Sequence, residues 1–262
     1  MMENSILSHL PGDLPWQVHW FDTVLSTNDT AKSMAKQGAP HGSVILAGHQ
    51  SGGRGRMGRS FSSPAGMGVY LSVILRPQCL AKDLMHLTCG VGTIMCDAVE
   101  AVTGVRPGLK WINDLILEGK KLGGILTELS LGKDGSVDFA VIGIGINCNQ
   151  TLEDFPPELR KTAVSLKMHT GKQTDPSLLA AAMIRALYEA GLPGDTKALM
   201  AAYREDCVTI GRSITVLQAP QSYRATALDV ADDGALLVKT EDGAFQKIQS
   251  GEVSIRGADG YL

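Results

Sequence analysis

Apolar residues at Leu84, Leu87, Val91, Ile94, Met95, Ala98 and Val102 recur at steps of three and four along the chain. That spacing predicts one long amphipathic helix, closed by Gly104. Asp175 to Ala190 and roughly Thr196 to Cys207 also read as helical. A short helix is expected from Ser26, with Ser26, Thr27 or Asn28 as its cap and Gly38 as its end. The first fifteen residues, interrupted by Pro11, Gly12 and Pro15, are expected to form a loose lead-in. Ser43 to Gln50 and Gly68 to Arg76 are β-branched runs that predict strands. Leu109 to Ile112, Leu115 to Leu117, Leu122 to Leu129 and Val137 to Cys148 predict four more, with Gly119 turning the second into the third.

Strands joined by tight turns imply a mixed or antiparallel sheet rather than a doubly wound one, hence an α+β fold. The texture then changes. Ser213 to Leu217, Tyr223 to Val230, Leu236 to Lys239, Ala244 to Gln249 and Glu252 to Arg256 are short strand-like runs. Asp232-Asp233-Gly234 and Glu241-Asp242-Gly243 are hairpin turns. These features predict a small β-barrel, with a boundary near Gly211: one domain over residues 1–210 and a second over 211–262.

Composition changes this picture only by exclusion. A net charge of -3 supplies no global attraction to nucleic acid or to an anionic membrane, so neither partner is expected. The longest apolar stretches are too short to span a bilayer. The N-terminus has no basic region and no long apolar region, so no signal peptide is expected. The 5 cysteines form no Cys-x-x-Cys pair, which argues against disulfides and structural zinc and fits a reducing cytoplasm.

The densest chemical signal is Gly52-Gly53-Arg54-Gly55-Arg56-Met57-Gly58-Arg59-Ser60-Phe61. The segment satisfies G-x-G-x-x-G, but a strand follows it where a dinucleotide site needs a helix. Glycines let backbone N–H groups approach a ligand, and guanidinium forks grip carboxylate or phosphate. Four glycines and three like charges therefore predict a loop that orders over a small anion. A second signal is Lys110-Trp111-Ile112-Asn113-Asp114. Lys110 either keeps its head in water at a strand end or faces anionic partners in the interior. Gly123-Gly124 and Gly143-Ile144-Gly145 remove side chains from strands, as close approach of a ligand or of a neighbouring element requires. Asn147 ends the second of these strands.

These motifs resemble those of the biotin protein ligases. The family's Gly-Arg-Gly-Arg-x-Gly-Arg loop corresponds to Gly53 to Arg59, and its Lys-Trp-Pro-Asn-Asp to Lys110 to Asp114. Its Lys-Leu-x-Gly-Ile-Leu-x-Glu corresponds to Lys121 to Glu128, and Gly-Ile-Gly-Ile-Asn to Gly143 to Asn147. A Ser-Thr-Asn triplet at Ser26 to Asn28 and a Gly-Glu-x-Ser-x-Arg at Gly251 to Arg256 complete the set. Ile112 stands where the family has proline, and Phe61 where it usually has tryptophan. Fewer than thirty residues precede Ser26, so the DNA-binding module of bifunctional members does not fit and a monofunctional type is expected.

The resemblance implies a biotin/lipoate ligase-like catalytic domain followed by an SH3-like barrel. The implied reaction joins biotin and ATP into biotinyl-5′-AMP, with Mg²⁺ as activator. It then acylates one lysine of a biotin carboxyl carrier protein or carboxylase domain. By the same correspondence Ser26, Thr27, Asn28, Gln50 and Gly124 line the biotin site, and Arg54, Gly55 and Arg56 cover the ligand. Lys110, with Arg56, stands at the reacting carboxyl and α-phosphate. Arg59, Phe61, Asn147 and Arg256 serve the nucleotide. A homodimer is a family expectation. A lipoate–protein ligase and a non-catalytic biotin- or nucleotide-binding regulator are the competing functions.

Overall fold

The computed structural model describes residues 2–218, 221–249 and 253–257, the side chains of 218, 221 and 253–257 apart. In chain order the first elements are α1 (Met2–Ser8), β1 (Gln17–Val24), α2 (Thr27–Lys36), β2 (Ser43–Gln50) and β3 (Gly68–Leu75). There follow α3 (Leu87–Thr103), β4 (Gly108–Lys110), β5 (Asp114–Leu117), β6 (Lys120–Leu131), β7 (Val137–Asn147), α4 (Leu166–Thr170), α5 (Pro176–Glu189) and α6 (Thr196–Asp206). The last strands are β8 (Ser213–Gln218), β9 (Gln221–Val230), β10 (Leu236–Thr240), β11 (Phe245–Ile248) and β12 (Val253–Gly257).

Seven strands form one mixed sheet in the order β1-β2-β3-β7-β6-β5-β4. Only β1 and β2 run parallel, joined through α2; the other pairings are antiparallel, as the tight turns require. The central strands are buried on both faces. On β7 the even positions Ile142, Ile144 and Ile146 enter the main core with Leu71 and Val73 of β3, and with Val91 and Met95 of α3. The odd positions Phe139 and Val141 pack with Ala31 and Ala35 of α2. Period-two alternation is thus preserved although neither face meets water. Helix α3 ends where Gly104 adopts φ 71°, a left-handed cap that favours glycine. Its start is later than the periodicity suggested, because residues Ala81–Leu84 form a separate 3-10 turn.

Three elements depart from expectation. The lead-in contains α1, anchored by the buried Ile6 and by a 2.8 Å hydrogen bond between the Ser5 and Ser177 hydroxyls. Strand β1 carries no period-two signal, because all of its side chains are half-buried or exposed and show no clean alternation. Helix α4 is only 5 residues long and buries Leu166 alone.

The expected barrel strands form a five-stranded antiparallel sheet in the order β11-β10-β9-β8-β12. It does not stand apart. Ile214, Val216, Ala227, Leu236 and Val238 join the same hydrophobic cluster as α3 and β7. The Trp111 indole N–H donates to the Gly234 carbonyl at 2.9 Å, and Arg204 Nε donates to the Val230 carbonyl at 2.6 Å. Among the described residues, no helix is long and apolar enough to cross a membrane.

Candidate active site

The site lies on the α2 side of the large sheet, over the part of that face that the helix leaves uncovered. Along the odd face of β7, Phe139 and Val141 sit under α2, and then Gly143 and Gly145 present no side chain. Register places Gly124 of β6 opposite Gly145, and Ser72 of β3 opposite Gly143. The floor is therefore bare over two adjacent strands. A Cβ on Gly143 would collide with the Asn28 carboxamide, and one on Gly145 would stand 2.5 Å from Phe61 Cε1.

Two adjoining cavities occupy this floor. The smaller, about 40 Å³, is lined by Ser26, Thr27, Asn28, Gln50, Arg54 and Gly124, with Gly143 to Gly145 beneath. Its polar groups are fixed by one another. Gln50 Oε1 accepts from the Thr27 backbone N–H (2.8 Å) and hydroxyl (3.1 Å), and Gln50 Nε2 donates to Ser63 Oγ at 2.8 Å. Asn28 Nδ2 donates to Glu128 Oε2 at 2.8 Å, while Ser72 Oγ lies 2.6 Å from Asn28 Oδ1. Ser26 occupies the N-cap of α2 without a side-chain capping bond. The start of α2 thus contributes Ser26, Thr27 and Asn28 to the lining, with the Thr27 N–H already paired to Gln50.

The larger cavity, about 470 Å³, is walled among the described residues by the cations Arg56, Arg59, Lys110 and Lys121, against one carboxylate, Asp114. A chain of net charge -3 so concentrates positive charge in one cleft. Lys110 is 4% exposed, which decides between the two environments its place in the sequence allows: it is an interior lysine. It ends β4 and is the register partner of Asp114 across the turn at residues 111–113. Lys121 Nζ contacts Asp114 Oδ1 at 2.5 Å. Burial pushes the Arg56 guanidinium down from its usual range, nearby Asp114 supports its charge and Arg59 opposes it. Arg56 Nη1 lies 3.5 Å from Asn113 Oδ1. Asn113 is itself held by Nδ2 donation to the Ile125 carbonyl at 2.9 Å. The far wall is apolar, with Phe155, Leu159 and Ala163 beside Asn147.

Gly55, Phe61, Asn113 and Lys121 line both cavities and mark the joint between them. The described structure thus brings together every site residue expected from sequence except Arg256. Arg256 lies on β12 with its backbone opposite Thr215, and its side chain is outside the described residues. Arg54 faces the rim: its guanidinium pairs with Asp29 and reaches Glu128 Oε1 at 3.7 Å, both also bound by Lys32. Exposed pairs of this kind contribute about 0–1 kcal/mol, so a ligand anion can compete for Arg54. The loop itself is folded, with an antiparallel bridge between Arg54 and Ser60 and a 2.7 Å bond from Gly55 N to Arg59 O.

Of the residues that line the two cavities, Lys121, Asn113, Asp114 and Phe155 are not among those expected from sequence. A signal existed for Lys121 at the head of its motif. Lys120 beside it hid which of the two faces inward, and the register shift between Leu115 and Ile116 of the facing strand conceals the alternation.

The sequence model of the Biotin/lipoate A/B protein ligase family matches residues 20–147, and that of the Biotin protein ligase C terminal domain matches 209–256. The class is thus that of ligases for biotin or lipoate. The Bacillus spizizenii bifunctional ligase/repressor BirA is 32% identical over 89% of this chain and 72% of its own length. The Mycobacterium tuberculosis biotin–[acetyl-CoA-carboxylase] ligase is 32% identical over 87% of this chain and 85% of its own. The solved Aquifex aeolicus biotin protein ligase, in complex with biotin and ATP, superposes with a TM-score of 0.78 at 29% identity, covering 92% of this chain and 99% of that one. The chain belongs to the biotin protein ligase family.

Proposed function

We propose that the two joined cavities catalyse ATP-dependent attachment of biotin to a carrier lysine, in two half-reactions. The observation that carries this reading is the joint. A small crevice lined by hydroxyls and carboxamides opens, at Lys121 and Gly55, into a larger cavity lined by cations. Such a pair of sites suits a neutral polar head with a carboxylate tail on one side and a triphosphate on the other.

In the first step a biotin carboxylate oxygen attacks the α-phosphorus of ATP. The new C–O–P bond forms as the bond to the β-phosphate bridging oxygen breaks, and pyrophosphate leaves. Ser26, Thr27, Asn28 and Gln50 offer the donors and acceptors that a ureido ring needs, and the floor at Gly124 and Gly145 gives the ring its space once the Phe61 ring over Gly145 moves aside. Lys121, at the joint, lies where the carboxylate meets the phosphate. Arg56 and Lys110 add positive charge on the phosphate side. Two anions are thereby brought together with their repulsion offset by fixed, pre-oriented charges. Arg54 and Gly55 close over the ligand, while Arg59, Phe61, Asn147 and Arg256 serve the nucleotide. In the second step a neutral lysine amine of the carrier attacks the acyl carbon of the anhydride. An amide forms, AMP leaves and the amine's proton is released.

Mg²⁺ fits this site only in company with ATP. No group of three His, Cys, Asp or Glu side chains among the described residues can hold a metal ion, and Asp114 is the carboxylate in the larger cavity. Asp114 together with phosphate oxygens and water is the donor set that Mg²⁺ favours. Residues 1–210 carry the chemistry in this reading. Residues 211–262 buttress the Lys110–Asp114 turn through Trp111 and supply Arg256. The acceptor is a biotin carboxyl carrier domain, and the setting is the cytoplasm.

Biotin-dependent release of pyrophosphate from ATP tests the reading. Pyrophosphate should appear with biotin and not with lipoate. Release with lipoate alone would make this a lipoate ligase, and binding of biotin without any release would make it a regulator. Amide exchange offers a second check on the loop. Biotin and ATP together should slow exchange across residues 52–62. Equal protection in the free and loaded protein would show that the loop does not close on its ligand.

A further inference from the structure

We infer that Gln150 sets the nucleobase preference of the larger cavity, by holding the Asn147 carboxamide with its oxygen as the group offered to the base. The inference rests on the reading above, in which the Asn147 end of that cavity takes the nucleotide.

One group at this end of the cavity cannot change its role. The Val164 carbonyl is only an acceptor. It accepts from Asn147 Nδ2 at 3.1 Å. Rotating the Asn147 amide by half a turn would set oxygen against oxygen there, so the nitrogen side is fixed toward Val164. Asn147 Oδ1 then faces Gln150, and Gln150 must present its nitrogen. It does so, with Nε2 donating to Asn147 Oδ1 at 3.2 Å. The two amide orientations therefore follow from one backbone carbonyl, which lies on the segment just before α4.

Gln150 is 0% exposed and Asn147 is 4% exposed. Among the described residues, Gln150 Oε1 has no hydrogen-bond partner. The one side-chain hydrogen bond shown for Gln150 is thus the one to Asn147. Its backbone carbonyl does other work, accepting from Ser165 Oγ at 2.6 Å, and a side-chain substitution leaves that bond in place. A buried carboxamide with one end committed to a neighbouring amide is a positioning residue.

What it positions is an acceptor. A carboxamide oxygen has two lone pairs, and Gln150 takes one. The other can accept from an exocyclic amine. Adenine carries an N–H donor at C6, whereas guanine carries a carbonyl there, which would oppose the Asn147 oxygen. To welcome guanine the Asn147 amide would have to turn, placing its oxygen against Val164 and its nitrogen against the Gln150 nitrogen. Both contacts resist that turn. Phe155, Leu159 and Ala163, apolar residues lining the same cavity as Asn147, suit a purine ring. Discrimination between bases thus arises from a two-amide relay and needs no side chain that touches the base besides Asn147.

The test is equilibrium titration of the full-length protein with ATP and with GTP, for the wild type and for Gln150→Met and Gln150→Leu. Methionine nearly matches the shape of glutamine and removes the donor; leucine removes the donor with a shorter side chain. Biotin affinity measured on the same samples reports that the fold is intact. Loss of one neutral hydrogen bond predicts an ATP Kd raised about 2- to 10-fold in both variants, with the GTP Kd unchanged or lowered. The ATP-over-GTP ratio therefore falls by at least that factor. An unchanged ratio in either folded variant, equal losses for the two nucleotides, or a wild type that binds both alike would each overturn the inference. Formation of biotinyl-AMP by the wild type is scored separately. Its absence would sink the ligase reading, while the titrations would still decide the part played by Gln150.

Discussion

Replacement of Lys121 by methionine is expected to lower the single-turnover rate of biotinyl-AMP formation by about 10²–10³ while weakening biotin binding far less. The expectation follows from place and timing. Lys121 lines both cavities, and in the proposed reaction its ammonium stands where the carboxylate and the α-phosphate come together. Charge passes through that point chiefly in the transition state, and an interaction that strengthens there raises the rate rather than the ground-state affinity. Lys121 also neutralises Asp114 at 2.5 Å, so its loss sets a carboxylate against the incoming phosphates and deepens the effect. Lys110→Met is the informative comparison. Lys110 lines the larger cavity alone, and its loss should fall on ATP dependence and rate, with biotin binding untouched. The measurement is single-turnover adenylation beside equilibrium biotin binding. A Lys121→Met protein with a near-normal adenylation rate and lost biotin affinity would make Lys121 a ground-state anchor and sink the role given to it.

Gly145→Val is expected to abolish biotin binding, by at least ~100-fold, while the protein remains folded. Gly145 is on β7 with an ordinary strand backbone, so a β-branched residue fits its conformation. What does not fit is the side chain. A Cβ alone would come 2.5 Å from Phe61, and two more methyl groups would fill the floor opposite Gly124. Phe61 is a ring at the edge of a loop and can swing away, so the cost to folding is that of a modest overpacking, about 1–3 kcal/mol. The crevice has no such freedom. Calorimetric titration with biotin, beside thermal unfolding, separates the two effects. Retained biotin affinity in a folded Gly145→Val protein would show that the ring of biotin does not lie on this floor.

The contrast between these two residues shows how far the sequence can be read. Gly145 belongs to a glycine alternation that by itself announces a bare strand face, and register then gives it partners. Lys121 is equally prominent as a letter but not as a position. Its neighbour is another lysine, and a register shift in the facing strand blurs the inward and outward alternation. The same logic governs the fold. Helix α3 is legible because 17 residues repeat one period, with 11 of them buried. Helix α1 is not, because its 7 residues acquire stability from Ile6 and Ser5 meeting partners far along the chain. Strand β1 is a sheet edge whose residues face mixed surroundings, so period two is lost in it. Arg54 illustrates a further limit: the motif marks it as a cation for the ligand, yet only its position in the fold reveals that Asp29 and Glu128 compete for it.

The hydrogen bond from Trp111 to Gly234 has a bearing on biosynthesis. A ribosome delivers the large sheet first and the five-stranded sheet last, and domains ordinarily fold in that order. Here the turn that carries Lys110 and Asp114 has its indole partner 123 residues further on, in the last sheet to emerge. Thr209, which accepts from the Trp111 backbone N–H at 2.9 Å, also arrives late. Until those residues leave the exit tunnel, one wall of the larger cavity lacks its support. The cleft is therefore finished late in synthesis, and a nascent chain with its smaller cavity already formed would still lack the buttressed turn on which the larger one depends.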